Sequence, residues 1–244
     1  MASSGSSTKV TMLKVREDTV NRFIHPFRMS ITGQTMAGKS YLIKKILHYR
    51  RQLFTTEYSA IYFCMPEQPF NSGFEKYKSE LKTICPEIQI IDNLPTLDML
   101  RSSELPKLFI LDDLMEEIFS SAYLPQFFTR ASHHFSNSII FTCQNYFNSK
   151  KDLTITRNLN YKIIFNKSGE LIYFSSICRQ FSRDPHFLHK AFSLIDEQET
   201  PNGIDNRFIL LDDHNENPLK TFPVRAMILP RQDGVIRPLL FKLF

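Results

Sequence analysis

The sequence has little of several residue types that would point to a specialised class of protein. Tryptophan is absent, and the 244 residues include only 7 glycines and 4 cysteines. The cysteines are widely scattered and form no C-x-x-C pair, so neither a disulfide framework nor a regular zinc motif is indicated. Hydrophobic residues make up 42% of the chain, which excludes a disordered protein. The composition is typical of a globular protein with reduced thiols in an intracellular compartment.

Long apolar runs are missing as well. The longest, 108–111 and 139–142, are far too short to cross a bilayer, so we expect no membrane span. The Ser/Gly-rich segment 1–8 lacks the apolar centre of a secretory signal, which favours an intracellular location. We expect residues 1–20 to form a flexible basic tail and residues 21–244 to form a single domain.

Positive charge exceeds negative charge, and the excess is uneven. The net charge is +5, and the first 51 residues carry ten Lys and Arg side chains against two acids. A basic face of this kind suits a polyanion such as DNA. A solvated helix face next to a charged tail accounts for it equally well.

Two of the few glycines lie within one segment of eight residues. This segment matches the phosphate-binding P-loop pattern G-x-x-x-x-G-K-[ST] without a break. Such a match arises by chance in about one random chain of this length in a hundred. The candidate nucleotide-binding residues are Gly33, Gln34, Thr35, Met36, Ala37, Gly38, Lys39 and Ser40.

The residues on either side of the P-loop have the pattern that phosphate binding requires. Residues 26–32 alternate as a short strand, and the apolar positions after Ser40 have helical spacing. A strand, a glycine-bounded loop and a helix bring backbone N–H groups and the helix N-terminus to the phosphates. We expect Lys39 to reach the β- and γ-phosphates of ATP, and Ser40 to bind Mg²⁺.

Strand-like and helical segments alternate over most of the chain, which predicts an α/β fold with a mainly parallel sheet flanked by helices. From about residue 205 the pattern favours antiparallel strands at a sheet edge, and the alternative is an extension that packs on a neighbouring molecule. The expected strands are 59–64, 88–91, 107–113, 137–144, 161–165, 207–211 and 222–229. The expected helices are 74–84, 97–103, 114–135 with a break at Pro125, 171–181 and 185–195.

Two of these strands end in polar side chains suited to ATP hydrolysis. The strand 107–113 has the Walker B form, in which Asp112 holds Mg²⁺ through water and Asp113 acts as the general base. The alternative is that the acids merely cap the next helix. Gln144 ends the following strand, where it can sense the γ-phosphate or orient the attacking water, and Thr142 can share this role.

These motifs together resemble the genome-packaging ATPases of double-stranded DNA viruses and virus-like transposons. The resemblance is to the poxvirus-type enzymes, which belong with the FtsK/HerA translocases, and it covers roughly residues 25–180. P-loop and Walker B motifs are shared by many families. The narrower likeness rests on the "DDLM" of residues 112–115 and on the block "SHH…IIFTCQN" of residues 132–145.

The resemblance implies a RecA-like sheet in which the strand ending at Gln144 lies between the P-loop strand and the Walker B strand. It also implies an ATP- and Mg²⁺-dependent ring, commonly of six subunits, that threads duplex DNA and meets capsid or portal-type proteins. The host nucleus or cytoplasm, or the virion, would be its location. An arginine of one subunit would complete the neighbouring site, and Arg130 is preferred over Arg157 for this role.

One departure from the family and two other functions stay open. Many relatives have Glu where Asp113 stands, so Glu116 or Glu117 on the next turn is an alternative general base. A small nucleoside or nucleotide kinase, with Arg179 and Arg183 in a lid, is a second enzymatic hypothesis. A non-hydrolysing assembly protein that is gated by nucleotide is a third.

Overall fold

The computed structural model describes most of the chain in segments. They are residues 11–14, 22–67, 72–101, 105–123, 128, 135–144, 155, 157–166, 177–179, 184–198, 204, 207–216, 219 and 222–242. The strands are β1 Thr11–Lys14, β2 Arg28–Thr32, β3 Ala60–Met65, β4 Ile88–Asp92, β5 Lys107–Leu111, β6 Asn137–Cys143, β7 Tyr161–Phe165, β8 Phe208–Asp212, β9 Val224–Ala226 and β10 Leu239–Lys242. The helices are α1 Lys39–His48, α2 Arg50–Leu53, α3 Ser72–Ile84, α4 Leu97–Arg101, α5 Met115–Ser120 and α6 Phe187–Asp196.

All ten of these strands form one sheet, in the order β1-β10-β9-β8-β7-β2-β6-β5-β3-β4. The strands from β7 to β4 are parallel, whereas β8, β9, β10 and β1 extend the sheet in antiparallel fashion. This confirms the predicted α/β class and its antiparallel C-terminal edge. Strand β6 lies between β2 and β5, as the resemblance implied.

The parallel strands are built mainly from apolar residues because helices cover both faces of the sheet. Every residue of β2, β5, β6 and β7 is buried. Successive residues of β5 face opposite sides, so Leu108 packs in the core that contains Ile43 of α1, and Phe109 packs in the core that contains Ile118 of α5. The carboxyl ends of β2, β5 and β6 are thereby held side by side at one edge of the sheet.

The outermost strands differ most from the sequence predictions. Thr11–Lys14, within the predicted tail, form β1 and pair with β10 from Thr11 opposite Lys242. The predicted strand 222–229 is shortened to β9, and β10 was not predicted. Such edge strands depend on the partner that they pair with, which short local patterns do not reveal.

Most of the helices lie where the sequence predicted helices, but their lengths differ from the predicted ones. The helix predicted over 114–135 with a break at Pro125 is interrupted earlier, because α5 ends at Ser120 and Ser121 is already extended; Phe128 is helical, and 124–127 and 129–134 lie outside the described residues. Of the predicted helix 171–181, residues 177–179 are helical and the others lie outside the described residues. No described helix is long and apolar enough to cross a membrane. The four cysteines are buried and form no disulfide with one another, in line with the reduced thiols expected.

Candidate functional site

A cleft of about 490 Å³ opens where the carboxyl ends of β2, β5 and β6 meet the N-terminus of α1. Polar side chains from all three motifs of the sequence line it: Lys39, Ser40, Asp112, Asp113, Thr142 and Gln144. The P-loop and the paired acids are far apart in the sequence. The parallel sheet therefore brings the predicted residues into one site.

The P-loop is shaped by its two glycines. The Gly33 N–H donates to the Cys143 carbonyl at 3.1 Å, and a Cβ on Gly33 would lie 2.9 Å from the Phe165 Cβ. Gly38 has φ +111°, and a Cβ there would lie 2.9 Å from a terminal carbon of Ile204. A side chain at either position would collide with the core or strain the backbone, so glycine is required at both.

Lys39 is folded back onto its own loop. Its Nζ donates to the Gly33 carbonyl at 2.5 Å and to the Gln34 carbonyl at 3.0 Å. Burial lowers the pKa of Lys39, and Cys143, Asp112 and Asp113 oppose that shift. A phosphate in the loop would offer this ammonium group charged acceptors, which form stronger hydrogen bonds than carbonyls.

The two acids occupy different environments. Asp112 is 9% exposed, and its Oδ1 accepts a hydrogen bond of 2.8 Å from Thr142 Oγ1. Burial raises the pKa of Asp112, while the Thr142 hydroxyl and then Lys39 oppose that shift. Asp113 is exposed and has φ +57°, and its N–H donates to Thr142 Oγ1 at 2.9 Å. Thr142 thus fixes one acid directly and the other through its backbone.

The remaining predicted residues divide into three groups. Gln144 is exposed and lines the cleft immediately after β6, and its role stays a prediction. Glu116, in the first turn of α5, and Arg157 are both exposed, and neither is among the lining residues. Arg130 lies outside the described residues, as does Arg183 of the alternative kinase lid.

The donor set of the cleft fits Mg²⁺. Ser40 and Asp112 offer oxygen ligands, and the Tyr77 hydroxyl beside them is buried without a hydrogen bond of standard length to the described residues. The part of the chain that the structure describes contains no cluster of three or more His, Cys, Asp or Glu side chains able to hold a metal ion. A cation here would therefore need oxygens from a ligand, and Mg²⁺ takes such oxygens from phosphates.

The apolar side of the cleft was missed by the sequence analysis. It is lined by Met65 and Pro66 at the end of β3 and by Phe74 and Tyr77 of α3. The only signal in the sequence was helical spacing, which places Phe74, Tyr77 and Leu81 on one face of α3. That spacing predicts burial without indicating which surface the helix covers.

Comparisons with known proteins yield structural similarities alone. No protein-family model matches the chain, and no curated protein matches it. One similar solved structure is the genome packaging NTPase B204 of Sulfolobus turreted icosahedral virus 2, with 11% identity, a TM-score of 0.43, and coverage of 77% of this chain and 92% of that one. Another is the flagellar accessory protein FlaH of Methanocaldococcus jannaschii, with 15% identity, a TM-score of 0.44, and coverage of 87% and 89%.

A third similar structure is EssC (ATPases 2 and 3) of Geobacillus thermodenitrificans, with 15% identity and a TM-score of 0.43 over 89% of this chain and 39% of that one. Similarities this distant leave the assignment to the chain's own features. Those features are the P-loop after β2, the paired acids after β5, and β6 inserted between the two strands. The chain is an α/β protein with the fold of the P-loop NTPases.

Proposed function

We propose that this protein is an ATPase that moves double-stranded DNA and packages a viral or virus-like genome into a capsid, acting as a ring of subunits. The observation that carries the hydrolytic part is the convergence of Lys39, Ser40, Asp112, Asp113 and Gln144 on one cleft. A P-loop by itself binds phosphate. The acids and the amide are what hydrolysis requires in addition.

Each side chain has a role that follows from its position. Lys39 holds the β- and γ-phosphates, while Ser40 and Asp112 hold Mg²⁺, which when bound neutralises charge on the phosphate oxygens. Asp113 is the more exposed acid and accepts the proton of the attacking water. Gln144 orients that water from the end of β6. Thr142 keeps the two acids in place.

The walls of the cleft favour hydrolysis over a kinase reaction. A small kinase is expected to carry an acidic base close to the strand that follows the P-loop helix. That strand is β3, whose end contributes Met65 and Pro66 to the cleft, whereas Glu67, the acid that follows them, is exposed and is not among the lining residues. The paired acids stand instead on β5, with β6 between them and the P-loop strand.

The proposals of DNA as a partner, of capsid proteins as partners and of a ring all rest on the resemblance. The basic excess of the first 51 residues gives the DNA proposal only partial support. Arg28 is 7% exposed, and its guanidinium donates to the Phe128 carbonyl at 2.7 Å. Lys44 is paired with Glu80 at 2.8 Å, and Arg50 with Glu87 at 2.6 Å. Lys44 and Arg50 are therefore neutralised by ion pairs and Arg28 is buried, so these three cations give little support to a DNA-binding face, and DNA binding must be measured directly.

Duplex DNA is expected to stimulate ATP turnover. Phosphate release should be measured with the full chain in the presence of long duplex DNA, single-stranded DNA or no DNA, and we expect several-fold stimulation by the duplex. Turnover that depends on an added nucleoside would support the kinase alternative. ATP binding without turnover would support the nucleotide-gated alternative.

The mass of the protein with and without an ATP analogue tests the ring, since a protein that stays monomeric cannot use an arginine from a neighbour.

Asp113→Asn is expected to lower turnover by about 10²–10³-fold while leaving ATP affinity within about threefold, because a general base contributes to the transition state and little to binding. The matched controls are Glu116→Gln and Glu117→Gln, which remove the other acids near the end of β5. Single-turnover hydrolysis and equilibrium binding separate the two effects. A loss of turnover in a Glu variant, with Asp113→Asn active, would reassign the base.

A further inference from the structure

Tyr77 of α3 is a half-buried side chain whose hydroxyl oxygen is shielded from solvent. Its hydroxyl makes no hydrogen bond of standard length with the described residues, although Ser40 and Asp112 lie near enough to interact with it. The side chain lines the cleft and lies beside Ser40 and Asp112. A tyrosine hydroxyl carries its proton near neutral pH and can both donate and accept a hydrogen bond.

The ring of Tyr77 is held in place on two sides. It meets the ring of Phe63 edge to face, with the centroids 5.8 Å apart, and Phe63 belongs to the buried strand β3. The Lys44 ammonium group of α1 lies 5.6 Å from the centroid of the Tyr77 ring and is itself paired with Glu80 of α3. The hydroxyl therefore has little freedom to turn away from the cleft.

An unpaired buried hydroxyl costs free energy, and this cost is recovered when the group gains a partner. In metal sites, residues that do not bind the metal themselves commonly form hydrogen bonds to the ligands or to metal-bound waters and so orient them. The neighbours of the Tyr77 hydroxyl are the two residues assigned to Mg²⁺, Ser40 and Asp112. The missing partner of the hydroxyl is therefore expected to arrive with the cation.

We propose that Tyr77 is a positioning residue whose hydroxyl oxygen accepts a hydrogen bond from a water bound to the Mg²⁺ that Ser40 and Asp112 hold, an inference that rests on the proposed function. Tyr77 does not touch the reacting atoms in this assignment. Its hydroxyl sets how tightly the cation is held once nucleotide is bound.

The test compares Tyr77→Phe with Tyr58→Phe in the full chain. Both substitutions remove only a hydroxyl, and neither hydroxyl, though buried, makes a hydrogen bond of standard length with the described residues. Tyr58 lines a different, smaller cavity, and its ring contacts His25 at 5.5 Å between centroids. It therefore serves as a control for the loss of an unpaired buried hydroxyl away from the P-loop.

The measurement is the binding of a fluorescent ATP analogue as Mg²⁺ is titrated from an EDTA baseline. For Tyr77→Phe we expect the Mg²⁺ concentration at half-maximal enhancement to rise about tenfold, with unchanged affinity in EDTA. Tyr58→Phe should behave as wild type. The unfolding midpoint of ligand-free Tyr77→Phe should equal or exceed that of wild type, because the substitution removes an unpaired polar group.

Four results would overturn the assignment. A Tyr77→Phe titration that overlays the wild-type curve would do so while leaving ATP binding intact. An equal loss of affinity in EDTA and in Mg²⁺, or a lowered midpoint without ligand, would show that the hydroxyl has a structural role. Wild-type binding that does not respond to Mg²⁺ would overturn the metal part of the proposed function, and the role of Tyr77 with it.

Discussion

Replacing Lys39 with alanine is expected to lower ATP turnover by at least about 100-fold, the loss typical when one preorganised charged group is removed from a transition state. The ammonium group of Lys39 is already at the loop, 2.5 Å from the Gly33 carbonyl and 3.0 Å from the Gln34 carbonyl. Little reorganisation is needed for it to reach a phosphate there. Its loss should weaken ATP binding as well, because its charge acts in both the ground state and the transition state.

The fold should tolerate this substitution, since within the described part of the chain the Lys39 side chain donates hydrogen bonds only to P-loop carbonyls. The unfolding midpoint of Lys39→Ala should therefore stay close to that of wild type. Lys45→Ala is the matched control, because Lys45 also lies on α1 but contacts the rings of Tyr41 and Tyr49. Steady-state phosphate release and equilibrium binding provide the measurements. Full turnover in Lys39→Ala would place hydrolysis at another site.

Replacing Asp212 with alanine is expected to lower the free energy of unfolding by about 3–5 kcal/mol, the usual cost of removing one partner of a buried ion pair. Asp212 Oδ2 lies 2.8 Å from Arg225 Nη2, and both side chains are 3% exposed. Burial raises the pKa of Asp212 to about 6, even though Arg225 opposes the shift. The variant would leave the Arg225 charge buried between β8 and β9 without this carboxylate.

The cost of burying a charge predicts a much smaller loss of stability when the charges of Asp212 and Arg225 are removed together. Asp212→Leu combined with Arg225→Met should unfold within about 1–2 kcal/mol of wild type, because neither buried charge remains. Asp233→Ala, which breaks the exposed ion pair with Arg237, should leave the free energy of unfolding unchanged within error. Urea unfolding at pH 7 measures all three. A double variant as unstable as the single one would contradict the desolvation argument.

The parts of the site that could be predicted are those with local chemistry. The P-loop is a continuous segment whose flanking strand and helix are also continuous, so Gly33 to Ser40 were identifiable from the sequence. Strands β5 and β6 are buried on both faces, and their uninterrupted apolar runs indicated where Asp112 and Gln144 stand. Parallel strands then place those ends together, because their carboxyl termini share one edge of the sheet.

Other features depended on pairing between distant segments. Strands β1 and β10 pair with each other at the far edge, and neither has a strong local pattern of its own. The hydrogen bond from Thr142 to Asp112 joins residues 30 positions apart, and it explains how the exposed Asp113 is held as well. Arg225, which the sequence presents as an ordinary basic residue, is a buried partner of Asp212.

The sequence by itself determined where the P-loop pattern and the paired acids lie and that the fold is α/β, because each of these depends on patterns within contiguous runs of residues. Only the tertiary structure decided what completes the cleft around them. Tyr77 reaches Ser40 and Asp112 because α3 packs against α1 and β3, and packing of that kind is set by the shapes of whole elements. The spacing of apolar residues along a helix indicates which side chains face the protein interior. Which residues those side chains contact is decided only when the sheet and its helices pack together.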